Sequence, residues 1–568
     1  QIVQSDDRFL SLFQMAVRLE GLPRQSSVHA GGILLSQKPL HQIVPTTRSG
    51  EDIRTCQYSM EYLEERGLIK MDFLGLRNLS VIDEIVKKIQ EKEPTFHILS
   101  IPMNDSKTYA VFSNADTLGV FQFESEGIKS LLRRMQPNNI LEIADAMALY
   151  RPGPMDNIRT YLQNKQDISR IQYVSSTVAP ILKQTYGVMI YQEQIMMIAQ
   201  VVASFSLGKA DILRKAISKK KVNEMENLKK DFIDGALKNG YTEEKANILF
   251  QEIEKFAGYG FNKSHAVAYA HIAYQMAYLK ANYPYAFYTS LLDSVMNDIY
   301  KTAQYVDECR RRKIQIFYPS VNESMSYYTK ENQGLRLPLS IVKGIGFRVS
   351  EIIVKERSKN GKYIDIFDFV ARCHIYKITQ AQITSLIDSG SLDCFHETRM
   401  TLKSALEQAE AYADVIQVVK NGQTFLNFDL VSKPTLLKKG ENESVKEEYE
   451  REALGFTLGP SRIIQIRQEN HIHLPSIANL LMQSGRINGF AVVREVRTHR
   501  TKKGNMMAFI KLSDETGEMN MMVMPRQYEK YAAMLVKGAY AVFYAKIQED
   551  GSIICDSIQF VQTGGITR

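Results

Sequence analysis

Asp72 is the residue whose type and surroundings most directly suggest chemistry. It lies within the run KMDFLGLRN, residues 70–78, a short apolar stretch that contains one acid and leads into a segment of helical pattern. A carboxylate among apolar neighbours is costly to desolvate unless it meets a metal ion or an arginine. Asp72 is therefore a candidate metal ligand, and a buried, hydrogen-bonded structural aspartate is the alternative on local grounds.

A basic segment at residues 205–221, FSLGKADILRKAISKKK, is the strongest local pattern in the chain. Its apolar residues recur on one predicted helix face, and its cations lie on the opposite face. The apolar set is Ile212, Leu213, Ala216 and Ile217, and the polar set is Arg214, Lys215, Ser218 and Lys219. A rigid row of cations suits a triphosphate, whose charge must be neutralised while it is held in line. A solvated basic helix face is the alternative.

Three further segments place polar residues beside glycine-rich or proline-rich turns. ALYRPGPM sets Arg151 before a rigid turn, and FAGYGFNKSHA carries Lys263 and His265 into a predicted helix. A helix start with serine and lysine is a natural phosphate site. The third segment, TLGVFQFES at residues 117–125, contains a Gln-Phe-Glu that packing alone could explain.

Residues 338–350, PLSIVKGIGFRVS, have the pattern of a helix–hairpin–helix. Gly344 and Gly346, which follow Lys343, would let backbone N–H groups approach a DNA phosphate without an intervening side chain. Such a contact is independent of base sequence and sensitive to salt. Glycines that merely cap helices are the alternative.

Residues 423–428, QTFLNF, match the pattern of a sliding-clamp-binding peptide. In this interpretation Gln423 anchors by hydrogen bonds, while Leu426 and Phe428 fill an apolar pocket of the partner. The segment follows Asn421-Gly422, a predicted exposed turn, although a motif this short often occurs by chance.

From about residue 483 the pattern changes to alternating strands separated by glycine turns, which predicts an OB-like β-barrel. Arg497 and Arg500 lie in and after its first strand, with phenylalanines near them. Basic groups together with aromatic rings suit single-stranded nucleic acid, and a solubilising loop is the alternative.

Composition sets wide limits on function. The chain has 568 residues, and 71 lysines and arginines against 63 acids leave a net charge of +8, which permits nucleic-acid binding without arguing for it. Five scattered cysteines predict a reducing, cytoplasmic setting. No apolar stretch is long enough to cross a membrane. Because the chain begins with Gln1, we interpret it as a piece of a longer protein.

Five strings occur in order along the chain and together resemble the fingers region of the bacterial replicative DNA polymerase III alpha subunit of the DnaE type. They are LGVFQFES, ALYRPGPM, YQEQIM, FSLGKADILRKAISKKK and YGFNKSHAVAY, and the string around Asp72 resembles the third active-site aspartate of that family. The resemblance implies a multidomain α+β chain with a partial palm, a large helical fingers domain, a helix–hairpin–helix and clamp-binding domain, and a C-terminal OB-fold β-barrel. The implied boundaries are 1–78 for the end of the palm, 79–310 for the fingers, 311–430 for the hairpin and clamp region, 431–482 for a linker and 483–568 for the OB domain.

By the same resemblance, the parent protein adds dNTPs to a primer 3′-end with two Mg²⁺ ions. Asp72 would bind the metal that activates the hydroxyl, and the implied nucleotide-binding residues are Arg214, Lys215, Lys219, Arg151, Lys263 and His265. Primer–template DNA, dNTPs, a sliding clamp, a clamp loader and other replisome subunits are the implied partners, with single-stranded DNA on the OB domain.

One departure from the family pattern matters. The family has an Asp-x-Asp pair upstream of the third aspartate, and no Asp-x-Asp occurs in this sequence. A single carboxylate cannot hold two metal ions in the required geometry, so we expect this chain alone to be inactive. The alternative class is a non-catalytic module that binds DNA and a sliding clamp.

Overall fold

The structure is a computed structural model that separates into two compact units, residues 1–80 and 81–568. It describes residues 7–22, 28–29, 31–48, 53–73, 75–151, 153–218, 222–257, 260–420, 423–458, 462–481, 483, 485–501, 504–548 and 552–561. Lys219 lies outside this set.

The described residues of the first unit form one complete α-helix, three short 3-10 helices and two small antiparallel sheets. Its elements are α1 (Asp7–Leu19), β1 (Gly32–Leu35), β2 (Thr46–Arg48), β3 (Arg54–Cys56) and β4 (Ile69–Asp72). β1 pairs with β4 and β2 pairs with β3. The buried core among the described residues of this unit is small, with Val44, Leu63 and Leu68 at its centre. The register sets Gly32 opposite Asp72 at the end of the β1–β4 pair.

The second unit opens with a long helical region, and the boundary between the units falls within its first helix. The helices are α2 (Arg77–Gln90), α3 (Ser106–Ser113), α4 (Glu126–Met135), α5 (Ile140–Leu149), α6 (Ile158–Gln166), α7 (Ala179–Leu182), α8 (Gln192–Ala203), α9 (Leu207–Ser218), α10 (Val222–Lys238), α11 (Glu243–Ala257), α12 (Lys263–Asn282), α13 (Pro284–Ser294) and α14 (Ile299–Arg311).

α12 is the central helix of this region and packs against α3 and α5. The side chain of Asn262 caps its start by accepting from the His265 N–H at 2.7 Å. Its buried alanines, Ala266, Ala270, Ala273 and Ala277, recur at helical spacing. Such small side chains allow neighbouring helices to approach closely, and α5, which packs against α12, also has buried alanines.

A separate core joins α8 to α11. The apolar stripe of α8 is buried and consists of Ile195, Ile198, Ala199 and Val202. The predicted apolar face of α9 needs a correction, because Ile212 is 53% exposed while Ala210, Leu213 and Ala216 are buried. Residues 210, 213 and 216 follow one another at three-residue intervals on one side of the helix, and residue 212 lies about 100° away from residue 213.

The middle of the second unit combines short strands with further helices. They are β5 (Gln315–Phe317), β6 (Thr329–Glu331), β7 (Gly334–Arg336), α15 (Phe347–Asn360), α16 (Ile366–His374), α17 (Gln380–Asp388), α18 (Arg399–Ser404), α19 (Leu406–Ile416), β8 (Gln417–Lys420), β9 (Gln423–Leu426), α20 (Glu443–Leu454), α21 (Arg462–Glu469) and α22 (Ile477–Leu480).

The prediction that residues 431–482 form a linker is wrong for the described part of this segment. It contains α20, α21 and α22. Its start is also held in place, since the Lys439 N–H donates to Thr401 Oγ1 at 2.8 Å and Glu441 accepts from the Arg399 N–H at 2.8 Å. Glu450 and Arg451 of α20 are buried. The polar composition of the segment therefore reflects paired charges at a packed surface.

Five strands and one helix complete the chain, namely β10 (Gly485–Arg500), β11 (Met506–Ser513), β12 (Glu518–Val523), α23 (Pro525–Tyr531), β13 (Tyr540–Ile547) and β14 (Ile553–Phe560). Their hydrogen bonding closes on itself in the order β10-β11-β12-β14-β13, with β12 and β14 parallel. Alternate residues of each strand fill the interior of the barrel. Across the part of the chain that the structure describes, no helix is long and apolar enough to cross a membrane.

Candidate nucleotide-binding and nucleic-acid site

Asp72 ends β4 and lies beside two basic side chains. Its Oδ1 is in contact with the Lys70 ammonium and lies 3.7 Å from His29 Nδ1. The hydrogen bond from Lys70 holds the pKa of Asp72 below its ordinary value. A Cβ on Gly32 would lie 2.9 Å from His29 Nδ1 and 3.2 Å from Asp72 Oδ1. Glycine at position 32 therefore leaves room for this cluster.

The expectation that Asp72 is desolvated needs correction. Its side chain is 41% exposed, and the neighbouring Met71 and Phe73 are also exposed. A carboxylate oxygen suits Mg²⁺. However, the described residues contain no group of three or more His, Cys, Asp or Glu side chains that could hold a metal ion. Asp72 with its lysine therefore fits one ligand position and does not by itself form a metal site.

α9 carries the predicted phosphate-binding cations, and an acid of the same helix neutralises them. Arg214 Nη2 donates to Asp211 Oδ1 at 2.7 Å, and Lys215 Nζ lies 2.7 Å from Asp211 Oδ2. The hydrogen bonds from Lys215 and Arg214 hold the pKa of Asp211 below its ordinary value. In the free chain both cations therefore face a carboxylate one turn earlier on the same side of the helix. Their binding of nucleotide phosphates stays a prediction.

Two residues at the start of α8 connect α9 to the loop before α12. Gln192 Oε1 accepts from Arg214 Nη1 at 3.1 Å, while its Nε2 donates to the Gly260 carbonyl at 2.8 Å. Glu193 accepts from the Lys263 N–H at 3.0 and 3.1 Å. The sequence analysis assigned no role to either residue. The sequence contains the string YQEQIM, but no local pattern indicates that Gln192 would contact Gly260, 68 positions away, or that Glu193 would contact Lys263, 70 positions away.

Arg151 and His265 lie together at a small cavity of about 70 Å³. The Arg151 guanidinium sits 4.0 Å from the centroid of the Phe261 ring, a cation–π contact, and the His265 ring stacks on Tyr269 at 4.1 Å. The lining residues are Gln122, Ile128, Met147, Tyr150, Arg151, Phe261, His265 and Tyr269. None of them is acidic, and within the described ranges no ion pair is found for Arg151.

Lys263 lies beside this cavity without lining it. Its ammonium donates to Gln184 Oε1 at 2.7 Å and lies 5.7 Å from the centroid of the Tyr191 ring. The structure thus brings Arg151 and His265 to one cavity, and it connects Arg214 and Lys263 to the cavity wall through Gln192 and Glu193.

A buried carboxylate supports the same wall from behind. Asp145 on α5 is fully buried and accepts from the hydroxyls of Tyr191 at 2.6 Å and Tyr161 at 2.8 Å. Burial raises the pKa of Asp145 to about 7, although the two tyrosine hydrogen bonds oppose the shift. Tyr191 also forms a β-bridge with Phe261, so Asp145 fixes the backbone from which the cavity is built.

The hairpin at residues 342–346 presents its backbone outward. Ile345 is buried at 2% exposure, whereas Lys343, Gly344 and Gly346 are exposed. A Cβ on either glycine would meet no described atom within 4 Å, and Gly344 has a φ of +84°. The Lys343 and Ile345 N–H groups bond to the carbonyls of Ala453 and Val342, each at 2.9 Å. The N–H groups of Gly344 and Gly346 are therefore the ones placed to meet an approaching phosphate.

On the barrel, Arg497 pairs with Glu495 at 2.5 Å, and Arg500 Nε donates to the Gly504 carbonyl at 3.2 Å. Phe509 lies opposite Arg497 in the register and is 44% exposed. An exposed ring beside arginines is the arrangement on which bases stack.

The predicted clamp peptide lies on a two-stranded hairpin of β8 and β9. Leu426 is partly buried against the core of the chain, whereas Phe428 is 45% exposed. The side chain of Gln423 and the predicted turn at 421–422 lie outside the described residues. Leu426 would have to leave its present contacts to enter a pocket of a partner.

Family models match four parts of the chain. They describe a bacterial DNA polymerase III alpha NTPase domain at 1–75, the finger domain of the same subunit at 78–240, a helix-hairpin-helix motif at 313–402 and an OB-fold nucleic acid binding domain at 491–561. Together they show a multidomain chain that matches two domains of one bacterial polymerase subunit, followed by a helix-hairpin-helix motif and an OB-fold nucleic acid binding domain.

Curated relatives narrow this class. DNA polymerase III subunit alpha of Staphylococcus epidermidis strain ATCC 35984 is 38% identical over 542 residues, covering 94% of this chain and 50% of the relative. The same subunit of Staphylococcus aureus strain MSSA476 is 36% identical, and the match covers 99% of this chain and 53% of the relative. The subunit of Bacillus subtilis strain 168 is 38% identical, and the match covers 97% of this chain and 50% of the relative. The chain belongs to the bacterial DNA polymerase III alpha subunit family, of the DnaE type. It spans about half the length of the curated relatives it matches.

Proposed function

We propose that this chain supplies the nucleotide-binding and DNA-binding parts of a DNA polymerase that adds dNTPs to a primer 3′-end under the direction of a template. The observation that carries the proposal is the cavity lined by Arg151 and His265. It contains a guanidinium without an ion pair among the described residues and no acid in its lining. A phosphate group is the ligand that best matches such a cavity.

α9 would bind the remaining phosphates by exchanging partners. Arg214 and Lys215 are held by Asp211 in the free chain, and a triphosphate offers more oxygens at higher charge than one carboxylate does. Arg214 is 23% exposed and Lys215 is 59% exposed, so both are accessible to a ligand. Lys263 and, outside the described residues, Lys219 would add to this binding surface.

Asp72 would contribute one carboxylate to a divalent metal site in the whole polymerase, and Mg²⁺ is the ion we propose. Its oxygens are exposed, but the Lys70 contact must break before a metal ion can take the same oxygen. We assign no catalytic step to the metal from this chain, because the described residues contain no group of three or more His, Cys, Asp or Glu side chains that could hold a metal ion.

DNA would bind at the exposed hairpin and on the barrel. The turn with Lys343, Gly344 and Gly346 suits a duplex phosphate, and the Arg497, Arg500 and Phe509 surface suits a single strand. The segment from Gln423 to Phe428 would bind a sliding clamp, with Phe428 as its exposed apolar anchor.

The test is single-nucleotide incorporation on a primer–template with Mg²⁺, run beside DNA binding over a range of salt concentrations. We expect this chain to bind DNA with a salt-dependent Kd and to show no incorporation. Incorporation above the level of a mock preparation and lost in Asp72→Ala would contradict our account of the metal site. Absence of both DNA binding and dNTP binding would overturn the proposal itself.

A non-catalytic module that binds DNA and a clamp is the second candidate. It is favoured by the pairing of Asp72 with Lys70 and by the lack of a metal-binding cluster among the described residues. Such a module has no use for a nucleotide pocket. Binding of dATP that is lost in Arg151→Ala would therefore decide against it.

A further inference from the structure

Gln122 lines the same cavity as Arg151 and His265, and its backbone is strained to do so. Its φ is +67°, in the left-handed region that favours glycine. The Phe123 N–H donates to the Val120 carbonyl at 3.0 Å, so Gln122 occupies the third position of a four-residue turn. A turn with positive φ at this position ordinarily carries glycine or asparagine.

The turn around Gln122 is held rigidly on both sides. Phe123 is fully buried against Phe112, with ring centroids 5.4 Å apart, and Phe121 lies 5.2 Å from the Tyr269 ring. The buried Lys280 ammonium donates to the carbonyls of Asp116 and Leu118, each at 2.8 Å. The loop is therefore already ordered in the free chain, and ligand binding does not have to supply the conformational entropy of ordering it. The backbone of Gln122 is in place at the cavity before any ligand binds.

The side-chain amide of Gln122 has no hydrogen-bond partner among the residues that the structure describes, and the side chain is exposed. An amide can donate two hydrogen bonds, and phosphate oxygens are strong acceptors. The cavity provides room beside it for one small charged group. We propose that Gln122 donates its side-chain N–H to the phosphate group held by Arg151 and His265, and that it is a further ligand-binding residue of this site. This inference rests on the proposed function.

The phosphate could belong to an incoming nucleotide or to the DNA backbone, and the experiment separates these sources. The chain with Gln122→Gly is compared with the unmodified chain for the Kd of dATP and the Kd of a primer–template duplex with a 5′ overhang. Glycine relaxes the turn, so folding is retained and the melting temperature is not lowered. A second variant, Gln122→Glu, keeps the size of the side chain and replaces the donor with a negative charge.

Gln136→Gly is the matched control. Gln136 is also an exposed glutamine with positive φ, at +48°, but it ends α4, and its amide bonds to backbone carbonyls of Ser113 and Arg133. We expect Gln122→Gly to raise the Kd of one phosphate source about tenfold, corresponding to about 1.4 kcal/mol. Gln122→Glu should raise it further, and Gln136→Gly should leave it unchanged.

The ligand whose Kd rises identifies the source of the phosphate. A higher Kd for dATP indicates the incoming nucleotide, and a higher Kd for the duplex indicates the DNA backbone. If Gln122→Gly and Gln122→Glu leave both Kd values unchanged while Arg151→Ala raises one of them, the inference fails and the proposed function stands. If Arg151→Ala also changes neither value, both are overturned.

Discussion

At the scale of single residues, Asp145 has a testable effect on stability through its pKa. Burial raises the pKa of Asp145 to about 7 in the folded chain from an ordinary value of 3.8, with Tyr191 and Tyr161 as its hydrogen-bond partners. Between these values the folded state binds more protons than the unfolded state, so stability falls as pH rises from about 4 to about 7 and then levels off. The slope is at most about 1.4 kcal/mol per pH unit.

Asp145→Asn removes this titration. We expect the melting temperature of the variant, relative to the unmodified chain, to increase from pH 5 to pH 7 and to remain constant above pH 7.5. Asp105→Asn is the control, because hydrogen bonds from Thr108 and Asn282 lower the pKa of Asp105 against the opposing effect of burial. The contribution of Asp105 to the free energy of unfolding is constant between pH 5 and pH 7.5. The difference in melting temperature between Asp105→Asn and the unmodified chain should therefore not change with pH. A flat plot for Asp145→Asn would show that Asp145 is ionised throughout.

Gly127 tests how the cavity wall is positioned. A Cβ at Gly127 would lie 1.7 Å from the Tyr150 hydroxyl, and Tyr150 lines the cavity. Gly127→Ala should displace that ring, cost about 1–3 kcal/mol in stability and raise the Kd of dATP. Gly208→Ala is the matched control, since Gly208 is likewise the second residue of its helix but has no described atom within 4 Å of the added Cβ. Equal effects in a thermal melt and in dATP binding would contradict the packing argument.

At the scale of elements, the hairpin before α15 predicts a loss of DNA binding without a loss of folding. Gly346 is not in the left-handed region, and an added Cβ meets no described atom within 4 Å. Gly346→Ala should therefore cost at most about 1 kcal/mol in stability, the difference between glycine and alanine at a helix N-cap, while its methyl group separates the backbone N–H groups from a DNA phosphate. We expect the Kd for duplex DNA to rise about three- to tenfold, or about 0.7–1.4 kcal/mol.

Fluorescence anisotropy with a labelled duplex measures this effect, and Gly440→Ala provides the comparison. Gly440 also has open space at its Cβ, but it lies in the segment before α20. If both variants bind DNA as tightly as the unmodified chain, the hairpin glycines serve only to cap the helix.

Elements also show where local sequence patterns stop being informative. The apolar stripe of α8 and the inward-facing residues of the barrel strands are buried, and each set follows the period of its own element in the sequence. The pairing of Asp211 with Arg214 and Lys215 was not predicted, although all three residues lie on one helix. Helical spacing permits the pairing, but the choice between a protein carboxylate and a ligand depends on what else occupies the surface.

At the scale of the whole molecule, the order of domains was accessible from the sequence because five strings and two nucleic-acid motifs keep their order along the chain. The cavity was only partly accessible. Arg151 and His265 were named, but Gln192 and Glu193 act through contacts with residues far away in sequence. The exposure of Asp72 was also missed, because a short apolar run is buried only when another layer covers it.

The central claim is that the cavity at Arg151 binds a phosphate group of a nucleotide, and equilibrium binding of dATP tests it most directly. Arg151→Ala is compared with Arg159→Ala, which removes an exposed arginine from α6 that does not line the cavity. We predict that Arg151→Ala raises the Kd at least tenfold, about 1.4 kcal/mol, while Arg159→Ala leaves it unchanged. Equal Kd values for both variants and the unmodified chain would contradict the account.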